Sequence, residues 1–174
     1  SKVLCKIIAY PFDKNPEGVI ADIVKQENEV KTAEKAVIEN AGIETEFPAK
    51  VIECLDKIPS TVSESDKKGR LDLTNQTIIT IDGDDSRDFD DAISVEKNEK
   101  GFILGVHIAD VSHYVKEGSE IDKEALSRAT SIYFPDFVIP MLPEKLSNGI
   151  CSLNEGVERL TLSCIMKIDK SGSV

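Results

Sequence analysis

The chain has 174 residues, 32 of them acidic and 21 basic, for a formal net charge of −11. That length suits one ordinary domain, or one domain plus part of another. No apolar run reaches the roughly 18 residues of a membrane span, no basic-then-apolar start reads as a secretory leader, and four scattered cysteines without a CxxC pair point to reduced thiols in a cytoplasmic protein rather than a disulfide framework or zinc site.

In chain order, residues 3–12 (VLCKIIAYPF) alternate weakly and predict a strand ending at Pro11. DKNPEG (13–18) predicts a turn and VIADIV (19–24) a second strand. From Glu27 the period lengthens. Val30, Ala33, Val37, Ile38 and Ala41 share one helical face, and Asn40-Ala41-Gly42 supplies a stop. A short helix opening near Pro48 is expected to bury Val51, Ile52, Leu55 and Ile58. Residues 60–70 (STVSESDKKGR) are polar and predict a loop, with the main boundary inside 59–76.

Beyond that boundary the pattern is sheet-like. TIITI (77–81) predicts a buried strand that delivers Asp82 at its end. AISVEK (92–97), the turn NEKG and FILGVHIADV (102–111) predict a hairpin. Ser119 can cap a helix reaching about Ala129, with Asp122 in the capping-box position. Residues 133–149 are proline-rich and predict a long loop with one short helix started by Pro143. RLTLSCIMKID (159–169) places Leu160, Leu162, Cys164, Met166 and Ile168 on one face, a half-buried strand. It runs into KSGSV, a turn signal without a returning strand, so the chain reads as a fragment whose exposed edge invites self-association.

Residues 82–91 read DGDDSRDFDD, six aspartates and one arginine, and supply −5 of the net charge. Crowded carboxylates repel one another unless cations bind, and hard divalent ions with oxygen ligands are the natural partners. With such ions bound, the acidic balance no longer argues against a nucleic-acid partner. An EF-hand reading fails, because Arg87 stands where the loop needs glycine and Ile93 where it needs the bidentate glutamate. IITIDGDD also imitates the strand-DxD of haloacid-dehalogenase-type phosphatases, with Asp82 as nucleophile, but leaves Asp88, Asp90 and Asp91 without a task. A two-metal site, whose ions sit about 4 Å apart, uses them better. A non-enzymatic acidic interaction module is the third alternative.

The blocks TIDGDDSRDFDDAISVEK, GVHIADVSHYVKEGSEIDKEA, IYFPDFVIPMLPEKLSNGICSLN and ERLTLSC resemble successive segments of the ribonuclease II/R (RNB) family, over residues 77–170. Residues 3–24 resemble the end of that family's cold-shock-like OB domain, and the stretch between, with GRLDL (69–73), its connector. The resemblance implies an α+β organisation: partial OB-type barrel strands over 1–26, a helical connector over 27–76, and the first part of a largely antiparallel RNB catalytic domain over 77–174. It implies a processive, hydrolytic 3′-to-5′ exoribonuclease that takes single-stranded RNA 3′ ends and releases nucleoside 5′-monophosphates with Mg²⁺, or Mn²⁺ in its place. The family's acidic quartet falls on Asp82, Asp88, Asp90 and Asp91, all expected as metal ligands, with Asp90 tied most directly to the hydrolytic step. Tyr133 matches the tyrosine that stacks on the 3′-terminal base. A fragment of this extent is expected to bind Mg²⁺ or Mn²⁺ weakly and to have little activity of its own. His107, His113, Asp110, Arg128 and Arg159 are read as structural, capping or salt-bridged residues, and Met141 as packing.

Overall fold

β1 (Lys2–Ala9) and β2 (Glu17–Val24) pair antiparallel, with register shifts between Leu4 and Cys5 and between Ile7 and Ala9. The computed structural model describes residues 2–11, 15–24 and 29–174. Part of the expected 13–18 turn, the boundary at residue 26 and Glu27 therefore lie outside the described residues. The chain divides into two units, Ser1–Glu46 and Phe47–Val174.

The first unit is completed by α1 (Glu29–Ala41). Its end is a Schellman motif: Gly42 adopts φ +63°, Ile43 N–H donates to Ile38 O at 3.0 Å, and Gly42 N–H donates to Glu39 O at 3.2 Å. The apolar stripe expected on this helix does not become core. Val30 and Val37 are half exposed, and Glu34 is the buried side chain. A two-stranded ribbon offers too little surface to bury a helical face.

The second unit opens with α2 (Ala49–Leu55), which buries Val51 and Leu55 but leaves Ile52 47% exposed, against expectation. Ile58 and Cys54 pack beside the buried pair. Residues 60–70 are not a plain loop: α3 (Glu64–Lys67) is closed by a capping box in which Ser63 and Asp66 satisfy each other's backbone N–H.

Residues 77–81 are not a buried strand. They make a single bridge, Ile79 to Ile93, and Ile81 is 79% exposed. β3 (Asp91–Asn98) and β4 (Gly101–Ala109) form the expected hairpin, with Asn98 Oδ1 accepting from the N–H groups of Lys100 and Gly101. α4 (Val111–Tyr114) and α5 (Glu120–Arg128) follow. Ser119 caps α5 as expected, and Asp122 reaches back to Gly118 N–H at 2.8 Å. The proline-rich passage is more ordered than a loop. β5 (Ile132–Tyr133) and β6 (Val138–Ile139) pair, and Lys145–Ile150 forms a π-helical segment whose first N–H groups bond Pro143 O. β7 (Thr161–Asp169) joins the other edge of β4, giving the antiparallel order β3-β4-β7.

The core lies among α2, α5 and the π-helical segment: Val51, Leu55, Ile121, Leu146, Ile150 and Cys151. The three-stranded sheet has two unlike faces, because directly opposed residues share a face. One carries the rows Ala92–His107–Ser163 and Ser94–Gly105–Ile165. The other carries Ile93–Val106–Cys164 and Val95–Leu104–Met166 and is largely open, with Val95 58% and Leu162 62% exposed. β7 is thus formed as expected, and its expected face is half-buried at its ends (Leu160 buried, Met166 and Ile168 partly so) but exposed at Leu162 and Cys164.

Candidate active site

The acidic loop spans the gap between the Ile79 bridge and β3, and its backbone is fastened at four places. Ser86 N–H closes a turn onto Gly83 O at 3.0 Å. The Ser152 hydroxyl, fully buried, donates to Arg87 O at 2.7 Å and accepts from Phe89 N–H at 3.1 Å. Leu153 N–H donates to Phe89 O at 2.8 Å, and Ala109 N–H donates to Asp90 O at 2.9 Å. Between the fastened residues Arg87 and Phe89, Asp88 Oδ2 accepts from the Tyr133 hydroxyl at 3.1 Å. That hydrogen bond comes first among the causes raising the Tyr133 phenol above its ordinary value, with burial and the charges of Asp88 and Asp90 adding to it.

All six aspartates of the loop are exposed. None of them makes an ion pair among the described residues. Asp88, Asp90 and Tyr133 are brought together, and Asp91 is fixed as the first residue of β3, opposite Ile108. Among the described residues, no three acids, histidines or cysteines converge closely enough to hold a metal ion. The donors Asp82, Asp88, Asp90 and Asp91 fit a hard divalent cation in chemistry, as unpaired carboxylates. In geometry, the cage is not preassembled.

Behind the loop lies a polar cluster that sequence reasoning did not find. Arg70 donates to Asp110 Oδ2 at 2.6 Å, to Asp66 O at 3.1 Å and to Thr161 O at 3.4 Å. Asp110 is buried and also accepts from Ser112 at 2.8 Å. Burial pushes its carboxyl up, but Arg70 and Ser112 outweigh this and hold it below the ordinary carboxylate value. His113 meets Asp66 Oδ1 at 3.1 Å. One guanidinium thereby ties α3 to the end of β4 and the start of β7, next to Ala109, which holds Asp90. The GRLDL block contained the signal, an arginine between two polar turns.

His107 is buried between Ser94 Oγ at 3.0 Å and Ser163 Oγ at 2.8 Å, a hydrogen-bonding role within the sheet. Gly105 is required beside it, since a Cβ there would collide with Ser94 Oγ and His107 Nε2. Arg128 pairs with Glu124 at 2.9 Å and lies 3.9 Å over the Phe47 ring, and Arg159 donates to Ser152 O at 2.7 Å. Both are structural. An Asp82 nucleophile at the end of a buried strand, as the phosphatase alternative requires, is contradicted by the exposed, singly bridged 77–81 segment.

The family model for the RNB domain matches residues 70–174, and that for the cold shock domain residues 1–48. The chain belongs to the RNB-domain family. Its RNB portion contains the whole acidic loop, Tyr133 and Ser152. Among curated relatives, the chain is similar to ribonuclease R of Thermotoga maritima, 51% identical over 99% of this chain and 25% of the relative. It is also similar to ribonuclease R of Mycoplasmopsis pulmonis, 59% identical over 79% of this chain and 19% of the relative. Among solved structures, it resembles Mycoplasma genitalium RNase R in complex with double-stranded RNA, with TM-score 0.85 and 36% identity over 96% of this chain and 30% of that one. The chain therefore spans about a quarter of the length of the relatives it matches. The architecture is α+β as expected for the family, and no closed barrel forms among the described residues. No helix of the described residues is long and apolar enough to cross a membrane.

Proposed function

We propose that this chain carries the metal-binding loop of a processive 3′-to-5′ exoribonuclease that hydrolyses single-stranded RNA from its 3′ end to nucleoside 5′-monophosphates. The observation that carries the reading is the acidic loop itself: six exposed carboxylates without a cationic partner, on a backbone fastened at four places, with the Tyr133 phenol on one of them. Asp82, Asp88, Asp90 and Asp91 would hold two divalent cations, Mg²⁺ or Mn²⁺, with Asp90 the carboxylate that would orient the hydrolytic water. When bound, the cations supply charge stabilisation for the phosphodiester and acidify water, so no histidine base is needed. That fits the two histidines of the chain, which are occupied in hydrogen bonds to serines and to Asp66. The sheet sets the position of Asp90 and Asp91, and Ser152 sets that of Asp88. Tyr133, 67% exposed, offers its ring face to the terminal base while its hydroxyl holds Asp88. Stacking on an aromatic ring tolerates every base, as a sequence-independent nuclease requires.

Residues 27–76 act as the connector between the cold-shock and catalytic portions. The chain by itself has little processive activity, because a channel that encloses RNA needs more surface than it contains. Its free thiols fit a reducing, cytoplasmic setting. The open edge strands and the uncovered apolar sheet face favour weak self-association.

Mg²⁺ and Mn²⁺ titration calorimetry on the chain and on Asp82→Asn/Asp91→Asn tests the site. Saturable binding that the double variant loses is expected. Equal binding by both proteins would refute this ligand set.

A further inference from the structure

Beside the acidic loop lies an open cleft of about 530 Å³. Its walls include Arg87 and Phe89 from the loop, and Glu144, Lys145, Asn148 and Asn154 from the π-helical region and the turn after it. None of the six aspartates lines it. Arg87 and Phe89 line this cleft, whereas Asp88 between them does not and bonds Tyr133 instead.

Arg87 stands amid the densest negative charge of the chain, yet its guanidinium makes no ion pair or hydrogen bond among the described residues. Its backbone, by contrast, is held by buried Ser152. A fixed stem with an uncommitted fork of donors matches a phosphate oxyanion. Lys145, the other cation of the wall, is committed to Leu55 O and does not compete for this role. Phe89 is partly buried and presents an aromatic side chain. The amide of Asn154 donates to Asn148 O at 3.3 Å, which braces the far wall. Glu144 is an exposed carboxylate, unfavourable to phosphate but suited to accept from a sugar diol.

We propose that this cleft is a ribonucleotide site separate from the acidic one: Arg87 takes the phosphate, Phe89 packs against the base, and Glu144 accepts from the ribose hydroxyls. Its volume falls within the ~300–1,000 Å³ range of small-molecule sites. The ligand is a nucleotide unit of an RNA strand or a free nucleoside monophosphate, which share this chemistry. The inference rests on the RNA reading above and adds a second point of contact to it, one that needs no metal.

The test is fluorescence anisotropy of a short labelled oligoadenylate on the 174-residue chain, in EDTA at low salt, with unlabelled AMP as competitor. The variants are Arg87→Ala, Asn148→Ala and Lys123→Ala, the last removing one exposed positive charge elsewhere. Circular dichroism melting establishes that each is folded. Arg87→Ala is expected to weaken strand binding at least ~10-fold, the scale of one charge-assisted hydrogen-bond pair, while Lys123→Ala changes it less than ~2-fold. Competition by AMP assigns the cleft to free mononucleotides, and resistance to AMP assigns it to the strand. Strand binding that is equal in wild type, Arg87→Ala and Asn148→Ala would overturn the cleft and leave the RNA reading intact. No strand binding by wild type, with EDTA or with Mn²⁺, would overturn both.

Discussion

The Tyr133 hydroxyl donates to Asp88 Oδ2 at 3.1 Å across 45 residues of sequence, and so joins the β5 end to the acidic loop. The bond occupies one oxygen of a carboxylate assigned to metal binding and sets its direction. A cation that takes both Asp88 oxygens must share Oδ2 with the phenol or displace it. Tyr133→Phe, which keeps the ring and removes the donor, is therefore expected to tighten Mn²⁺ binding by this chain a few-fold, in keeping with the about 1 kcal/mol of a net hydrogen bond. Calorimetry on wild type and variant measures it. Weaker binding in Tyr133→Phe would mean the phenol organises the cation site instead of competing for it.

Arg70 and Asp110 form the most consequential ion pair of the second unit. Asp110 is 5% exposed on its side chain, and Arg70 is 29% exposed. Removing the cation leaves a buried carboxylate with only Ser112 and backbone donors. Arg70→Met is expected to destabilise the chain by about 2–3 kcal/mol, below the 3–5 typical of a fully buried pair because Arg70 reaches solvent. Urea unfolding measures the loss, and Arg70→Met/Asp110→Asn should recover part of it. Full stability in the single variant would count against this pairing.

Ser152 satisfies Arg87 O and Phe89 N–H with one hydroxyl inside the fold. Ser152→Ala leaves both backbone groups short of a partner, at a cost of about 1–3 kcal/mol. Hydrogen exchange at Phe89 should accelerate far more than exchange in the middle of β4. Uniform acceleration across the unit would instead mean global destabilisation without a specific loop effect.

Burial lowers the His107 imidazole below its ordinary value of 6.5. The unfolded chain therefore binds this proton more readily than the native one, and stability is lost as pH falls through 6.5 toward the native value. Above 6.5 the contribution is fully present. The Asp110 carboxyl acts in a separate window. Its native value lies below the ordinary 3.8, so its contribution is fully present above 3.8 and is lost as pH falls from there through the lower native value. Melting temperature followed from pH 8 to pH 5 should decline below about 6.5, and His107→Gln should flatten that decline. An unchanged slope in the variant would assign the effect to another group.

What the sequence made legible follows from how local each signal is. The β3–β4 hairpin, α5 with its Ser119 cap and the β7 alternation are written in neighbouring residues, and all are present. The crowding of aspartates over 82–91 drew attention to that stretch, but composition left several chemistries open, and only the family blocks around it narrowed them. Misreadings arose where burial depends on a distant surface. Val37 and Leu162 sit on well-patterned apolar faces yet remain exposed, because periodicity reports which face can be buried and not whether anything covers it. The α3 capping box was hidden because the helix it starts is four residues long and carries no apolar periodicity to mark it. Arg70–Asp110, Tyr133–Asp88 and the Ser152 tie are long-range pairings with no periodic signature, so only the folded chain exposes them.

The Ser152 tie has a consequence for the order in which the molecule is made. It joins residues 63 positions apart, whereas β3 and β4 turn back on each other within a few residues. During synthesis the hairpin can close as soon as Ala109 has emerged, and it brings Asp90 and Asp91 into place at once. Asp88 must wait. Until residues 152 and 153 leave the ribosome, the backbone at Arg87 and Phe89 lacks the partners that hold it on either side of Asp88. The acidic loop is thus completed in the nascent chain only after the segment that fastens it has been translated.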